Sequence, residues 1–126
     1  MEELFNSFKN AFERLDEALK GEKTTLNRDA AIQRFEFVIE LSWKCIQKFL
    51  GEQKIICRSP KECLKEAFKF SLIEDDPKWL EAFDDRNLTA HTYNEKIAEI
   101  IYGRLSDYLE IFSKLKETLK DKIEKN

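Results

Sequence analysis

The chain has 126 residues, a formal net charge of −3, 37% charged and 42% hydrophobic residues, but only three glycines and two prolines. This length fits one domain, residues 1–126, and the scarcity of helix breakers favours an all-α class. The acidic balance excludes a broad basic surface for nucleic acid. Because no apolar run approaches the roughly 20 residues that span a bilayer, and the N-terminus does not resemble a signal peptide, we expect a cytoplasmic protein without membrane attachment.

Two helices are predicted in the first part of the chain. Apolar residues at three- and four-residue spacing predict a first helix from about residue 2 to Lys20. The second is predicted to begin at a cap formed by Asn27, with Asp29 in its first turn, and to run to about Leu50. Its apolar positions cover roughly 200° of the circumference, which is wider than the stripe of a surface helix. This helix must therefore be covered from two sides.

Two pairs that combine a capping residue with proline mark the next helix starts. Ser59–Pro60, followed by Glu62, predicts a short third helix to about Leu72. Asp76–Pro77 predicts the start of a fourth helix, which we expect to end near Thr89.

A last long helix is predicted to begin at the cap residue Asn94. Its apolar residues continue to Leu119, and the segment 120–126 is expected to fray into solvent. Together these elements predict an up-and-down four-helix bundle with an extra short helix and a core over about residues 4–119. The wide apolar arcs of the second and last helices favour a homodimer through helical faces, unless both helices are simply central within one chain.

The three cysteines do not form a recognisable metal site. Cys45, Cys57 and Cys63 are odd in number, and the single histidine cannot complete a zinc site with them. We expect reduced thiols, with Cys45 packed in the core, and neither a metal nor a cofactor.

The segment around the only histidine is the candidate site. His91 follows Arg86 by five positions and precedes Tyr93 by two. In the hypothesis that these residues are catalytic, His91 takes a proton from a ribose 2′-hydroxyl while Arg86 stabilises the phosphate charge, without a metal ion. Asn87 and Tyr93 would support this chemistry. Because five residues of uninterrupted helix separate two side chains by about 140°, the hypothesis requires the helix to end near Thr89.

A purely structural interpretation competes with this hypothesis. A histidine after a helix end often satisfies exposed carbonyl groups, and Arg86 would then pair with Asp84 or Asp85. The acidic residues around the motif also disfavour strong RNA binding by a single subunit.

Several blocks of the sequence resemble a known family. Residues 28–37, 40–44, 59–60 and 85–93 closely resemble the nucleotidyltransferase substrate-binding proteins of the HEPN superfamily, and the likeness extends over about residues 4–119. The resemblance implies a four-helix bundle, usually dimeric, encoded beside a minimal nucleotidyltransferase with which it forms a complex. Any nucleotide would then be bound through that partner.

The resemblance leaves two functions open. In one, the protein is a non-catalytic subunit that binds the substrate of the transferase. In the other, it is the toxin of a toxin–antitoxin pair, a metal-independent ribonuclease with an Arg-X4-His-X-Tyr motif that is silenced when the transferase adenylylates its tyrosine. Matched to this chain, Arg86 and His91 would be the catalytic pair, Tyr93 the modified phenol and Asn87 the polar residue after the arginine. The complete motif favours the toxin.

A dimer would place two arginines and two histidines around one RNA-binding cleft. Arg34, which lies beside the apolar arc of the second helix, would add a positive charge there or form a buried salt bridge.

Overall fold

The computed structural model describes residues 1–125, which form six α-helices and no strand. The helices are α1 (Glu2–Lys20), α2 (Thr25–Glu52), α3 (Pro60–Lys69), α4 (Lys78–His91), α5 (Glu95–Tyr102) and α6 (Leu105–Lys125). The predicted all-α class is confirmed. The chain makes a bundle in which α3 is the extra short helix and α5 with α6 replaces the single predicted last helix.

The longest helix, α2, is the centre of the bundle. All five other helices pack against it. Most of the apolar residues in its wide arc are buried: Ala31, Ile32, Phe35, Val38, Ile39, Cys45, Ile46, Phe49 and Leu50. The other two, Leu41 and Trp43, are partly buried against the same core. The arc of α2 is thus satisfied within one chain, and it gives no separate argument for a dimer.

Aromatic rings join α2, α4 and α6 in the core. The ring of Phe35 lies 5.5 Å from that of Tyr108 and 6.3 Å from that of Phe112, and Trp79 meets Phe112 edge-on at 5.7 Å. All four side chains are buried. Since burial of one such side chain contributes roughly 2 kcal/mol, this cluster fixes the start of α4 against α6.

Three of the predicted helix caps are confirmed. The Ser59 hydroxyl accepts a hydrogen bond from the Glu62 amide at 3.2 Å, and Asn94 Oδ1 accepts one from the Ile97 amide at 3.0 Å. Asp76 Oδ1 accepts a bond of 3.0 Å from the amide of Lys78, the first residue of α4.

The cap of α2 differs from the prediction. The helix begins at Thr25, and the hydroxyl of Thr24 accepts a 3.0 Å hydrogen bond from the Asn27 amide. Asn27 therefore lies inside the first turn, where its side chain donates to the Glu22 carbonyl at 2.6 Å. Two capping residue types were available close together, and the threonine has the extended backbone that a cap requires.

The ends of α2 and α3 also differ from the prediction. α2 continues through Gly51 to Glu52, because the left-handed turn falls on Lys54, at φ 66°, and not on the glycine. α3 stops at Lys69, short of Leu72, with a left-handed residue at Ser71.

The last helical arm is interrupted in the middle but ordered at its end. The Arg104 amide bonds to the Ile101 carbonyl, one residue nearer than in a regular α-helix, and Gly103 separates α5 from α6. The predicted fraying from Lys120 is wrong for residues 120–125. They continue α6, and Ile123 packs against the core. Asn126 lies outside the described residues.

The cysteine prediction is wrong for two of the three thiols. Cys57 and Cys63 form a disulfide, with their Cα atoms 5.1 Å apart. The turn into the Ser59 cap brings residue 57 back onto the first turn of α3, which local spacing did not reveal. Cys45 is a free thiol in the core, as predicted, and burial raises its pKa to about 12.

Candidate functional site

The candidate motif lies on the solvent-exposed second half of α4. The first half of this helix buries Trp79, Ala82 and Phe83, whereas residues 87–91 are mostly exposed. The side chains that carry the proposed chemistry are therefore accessible from solvent.

Arg86 lies at the border between these two halves and faces α2. Its Nη2 lies 3.1 Å from Oε2 of Glu40, and its Nη1 donates to Oδ1 of Asn87 at 3.5 Å. The predicted pairing with Asp84 or Asp85 is wrong. The side chain of Arg86 remains 41% exposed, so Glu40 pairs with it without shielding it from solvent.

Asp85 belongs to the core and not to the motif. Its Oδ1 accepts a 2.8 Å hydrogen bond from Arg104, its Oδ2 accepts one from the Tyr108 hydroxyl, and the residue is buried. The sequence contains a signal for this role, since Asp85 follows Trp79 and Ala82 at three-residue spacing on the buried face. Its charge is balanced inside the protein, so it adds less to the acidic surface near Arg86 than the sequence suggests.

His91 is the last residue of α4. The helix ends there and not near Thr89, as the Thr92 amide still donates to the Leu88 carbonyl at 2.8 Å. Arg86 and His91 therefore lie on one uninterrupted helix, about 140° apart, and one subunit does not direct both at the same phosphate. The imidazole is exposed, and within residues 1–125 it has no hydrogen-bond partner.

Tyr93 turns away from α4, towards the start of α2. Its hydroxyl donates to Oδ1 of Asp29 at 2.8 Å. Partial burial of the phenol and this hydrogen bond raise the pKa of Tyr93 to about 12. The same hydrogen bond, followed by that from Arg28, lowers the pKa of Asp29. The phenol is thus a neutral donor to a carboxylate, and its ring remains 47% exposed.

Arg28 binds three carboxylates next to the hydrogen bond between Tyr93 and Asp29. It is buried, and its guanidinium donates to Asp29 at 3.0 Å, to Glu95 at 2.8 and 3.0 Å and to Glu99 at 3.0 Å. Lys23 contacts the other oxygen of Glu99 at 2.6 Å. This cluster was not predicted from the sequence. Its signal was that Arg28 occupies the apolar face of α2, and a buried arginine requires carboxylate partners.

A groove of about 450 Å³ lies beside Arg86, between α4 and the start of α3. It is lined by the aromatic rings of Trp43 and Phe83 and by both signs of charge: Glu40, Lys61, Asp84 and Arg86. His91 and Tyr93 do not line it. The structure thus joins Arg86 with Asn87 and joins Tyr93 with Asp29, but within one chain it does not gather the whole motif.

Three further sequence expectations concern charge and binding. Arg34 donates to the Arg14 carbonyl at 2.8 Å on the surface, so its predicted buried salt bridge is wrong. In the described part of the chain, no cluster of histidine, cysteine and acidic side chains is arranged to hold a metal ion. None of the helices described is long and apolar enough to cross a membrane.

A family model described as nucleotidyltransferase substrate binding protein like matches residues 3–121. The chain belongs to this family. The resemblance to the nucleotidyltransferase substrate-binding proteins of the HEPN superfamily is thereby confirmed.

Two solved structures show that the fold is that of the nucleotidyltransferase substrate-binding family. A protein from Thermus thermophilus is 37% identical, with a TM-score of 0.82 over 89% of this chain and 98% of its own. A Haemophilus influenzae protein, whose structure is described as the fold of a substrate binding domain of a nucleotidyltransferase, is 32% identical. Its TM-score is 0.80 over 92% of this chain and 98% of its own.

A curated relative carries a name that refers to activity. The probable ribonuclease HepT of Haemophilus influenzae is 39% identical over 97 residues, which is 73% of this chain and 66% of the relative. The match thus spans slightly less than two thirds of the length of that relative.

Proposed function

We propose that this chain is the toxin-like ribonuclease partner of a minimal nucleotidyltransferase. The observation that carries the proposal is a complete Arg-X4-His-X-Tyr motif on an accessible helix end, in a chain 39% identical to a probable ribonuclease. The motif side chains are those that phosphodiester cleavage without a metal ion requires.

In the proposed reaction, His91 accepts the proton of a ribose 2′-hydroxyl as that oxygen attacks the neighbouring phosphorus. The bond from phosphorus to the 5′-oxygen breaks, and this oxygen takes a proton as it leaves. Arg86 stabilises the additional negative charge on the phosphate, and Asn87 orients the guanidinium through their 3.5 Å contact. The products are a cyclic phosphate and a 5′-hydroxyl.

The angle between Arg86 and His91 supports a site made by two copies of the chain. Since one α4 presents these side chains about 140° apart, a homodimer with two facing α4 ends would supply Arg86 from one copy and His91 from the other. The apolar side chain of Leu88, which is 41% exposed beside the motif, is available to such an interface.

The transferase would control this activity by adenylylating Tyr93. Family membership supports a nucleotidyltransferase partner, and the exposed ring of Tyr93 lies two residues after His91. A nucleotide attached there adds bulk and negative charge beside the cleft, which opposes RNA binding.

Expression of wild type, His91→Ala and Arg86→Ala, without the transferase, tests the proposal. Wild type should slow growth and fragment cellular RNA, whereas both variants should leave growth and RNA intact. Lys96→Ala changes an exposed residue nearby and should behave as wild type. Equal growth and equally intact RNA for wild type and His91→Ala would contradict catalysis.

A second function, that of a non-catalytic subunit binding the substrate of the transferase, is favoured by the contact of Arg86 with Glu40 and by the description of the Haemophilus structure. For this function, adding the chain to purified transferase should change nucleotide binding by the transferase, and His91→Ala should act as well as wild type.

A further inference from the structure

The hydroxyl of Tyr93 and the carboxylate of Asp29 form a pair that the family motif does not contain. The motif ends at the tyrosine, whereas Asp29 lies 64 residues earlier, at the start of α2. The 2.8 Å contact is within the range from which a carboxylate takes a proton from a hydroxyl.

Asp29 is held in place by Arg28. Its Oδ1 also accepts a hydrogen bond from Nε of Arg28, and the guanidinium of Arg28 is buried and fixed by Glu95 and Glu99. Tyr93 itself is exposed on its other side. A carboxylate held by a buried arginine, next to a phenol open to solvent, is an arrangement that suits an activated nucleophile.

We propose that Asp29 is the base that deprotonates Tyr93 during nucleotidylation. This role rests on the proposed function. The phenol oxygen attacks the α-phosphorus of ATP bound to the partner transferase, the bond from that phosphorus to pyrophosphate breaks, and the phenolic proton passes to Asp29 and then to water. The products are an adenylylated Tyr93 and pyrophosphate.

The electrostatics explain why a base is needed. At neutral pH Tyr93 is protonated, because its pKa is about 12, and a neutral phenol is a poor nucleophile. Asp29 is ionised, since hydrogen bonds from Tyr93 and Arg28 lower its pKa. The other charged groups facing the pair are Glu36 on α2 and Glu95 on α5. The proton therefore moves to Asp29 only as the new bond to phosphorus forms.

The experiment measures the rate at which the transferase, with ATP, adds a nucleotide to the full-length chain, by intact mass and by locating the modified residue. At pH 7, Asp29→Asn should slow modification of Tyr93 by about 100-fold, the typical effect of losing a general base. Without the base, only the ionised phenol reacts, so the rate of the variant should follow the fraction of Tyr93 present as phenolate. The modification rate of the variant, divided by that of wild type, should then rise about tenfold per pH unit between pH 6 and 9. Asp29→Glu should recover much of the rate.

Glu36→Gln is the matched control. It removes a carboxylate charge near the same phenol but no hydrogen bond, and it should change the rate by no more than about twofold. If Asp29→Asn is modified as fast as wild type, or is slowed equally at every pH while still folded, Asp29 is not the base. If Tyr93 of the wild type takes up no nucleotide at all, adenylylation within the proposed function fails together with this inference.

Discussion

Nη2 of Arg86 lies 3.1 Å from Oε2 of Glu40 on the neighbouring helix. Arg86, which is proposed to bind the phosphate, is thus already paired with a carboxylate in the absence of RNA. Nζ of Lys44 lies 3.7 Å from the other oxygen of the same carboxylate. In the proposed reaction, RNA would therefore compete with Glu40 for the guanidinium of Arg86.

Glu40→Gln should strengthen RNA binding. Because the pair is partly exposed, its contribution is below about 1 kcal/mol, so the gain should be about two- to fivefold at low salt. The gain should shrink as salt is added. Fluorescence anisotropy with a labelled RNA measures it, and Glu13→Gln, on exposed α1 surface, controls for net charge. Equal affinities for the two variants would show that Glu40 does not compete.

A mixture of Arg86→Ala and His91→Ala chains should regain ribonuclease activity that neither variant has alone. If each catalytic pair takes its arginine and histidine from different copies, random mixing restores about a quarter of the wild-type sites. The assay follows cleavage of RNA after the two variants are unfolded and refolded together. An inactive mixture that nevertheless contains mixed dimers would place both residues in the same copy.

Asp85→Asn should destabilise the protein by about 2 to 3 kcal/mol, since it weakens charged hydrogen bonds with Arg104 and with the buried Tyr108 hydroxyl. Asp84→Asn, one residue earlier but exposed, should change stability by less than about 0.5 kcal/mol. Urea unfolding compares the two. Similar midpoints would mean that the buried network contributes little.

Arg28→Gln should destabilise the protein more at pH 7 than at pH 3. The hydrogen bonds from Arg28 lower the pKa of Glu95, and those from Lys23 and then Arg28 lower the pKa of Glu99. A lowered carboxyl pKa contributes stability that is present above the unfolded value, near 4.5, and is lost as pH falls through the folded value. The free energies of unfolding of wild type and Arg28→Gln should therefore lie closer together at pH 3 than at pH 7.

Denaturant unfolding at both pH values measures this difference. Lys20→Gln is the control: it removes an exposed ion pair with Asp16 and should change the free energy of unfolding only slightly at either pH. If Arg28→Gln lowers the free energy of unfolding by the same amount at pH 7 and at pH 3, the carboxylates paired with Arg28 do not cause the pH dependence.

Reduction of the bridge between Cys57 and Cys63 should lower the free energy of unfolding by about 2 kcal/mol, the value expected for so short a closed loop. Denatured, unreduced protein should expose one reactive thiol per chain, from Cys45, and reduced protein three. Thiol titration gives the count and urea unfolding the stability. Three thiols before reduction would show that the bridge is not formed.

Sequence reasoning predicted the features that depend on neighbours in the chain. The caps at Ser59, Asp76 and Asn94 follow from side chains that reach amides two or three residues away. The central position of α2 follows from the width of its apolar arc. Such signals require no knowledge of the partner helices.

The features that depend on distant partners were not predictable in the same way. Helical spacing from Trp79 places Asp85, and not the neighbouring Asp84, on the buried face of α4. Its partners Arg104 and Tyr108 lie 19 and 23 residues further along the chain, so the pattern within α4 could not name them. The sequence supplies the candidate residues at 86, 91 and 93 but not their arrangement in space. Thr89 and Ala90 can continue a helix as readily as end one, so the true end at His91 depends on backbone geometry beyond the motif.

The second half of α4 lies on the surface of the bundle, where residues 87–91 are mostly exposed. A segment with so few buried contacts separates from its neighbours at a small fraction of the free energy of global unfolding. Residues 87–91 can therefore adopt a new orientation against RNA or a protein partner while the aromatic core around Phe112 stays intact. This end of α4 is a locally adjustable element on a rigid support.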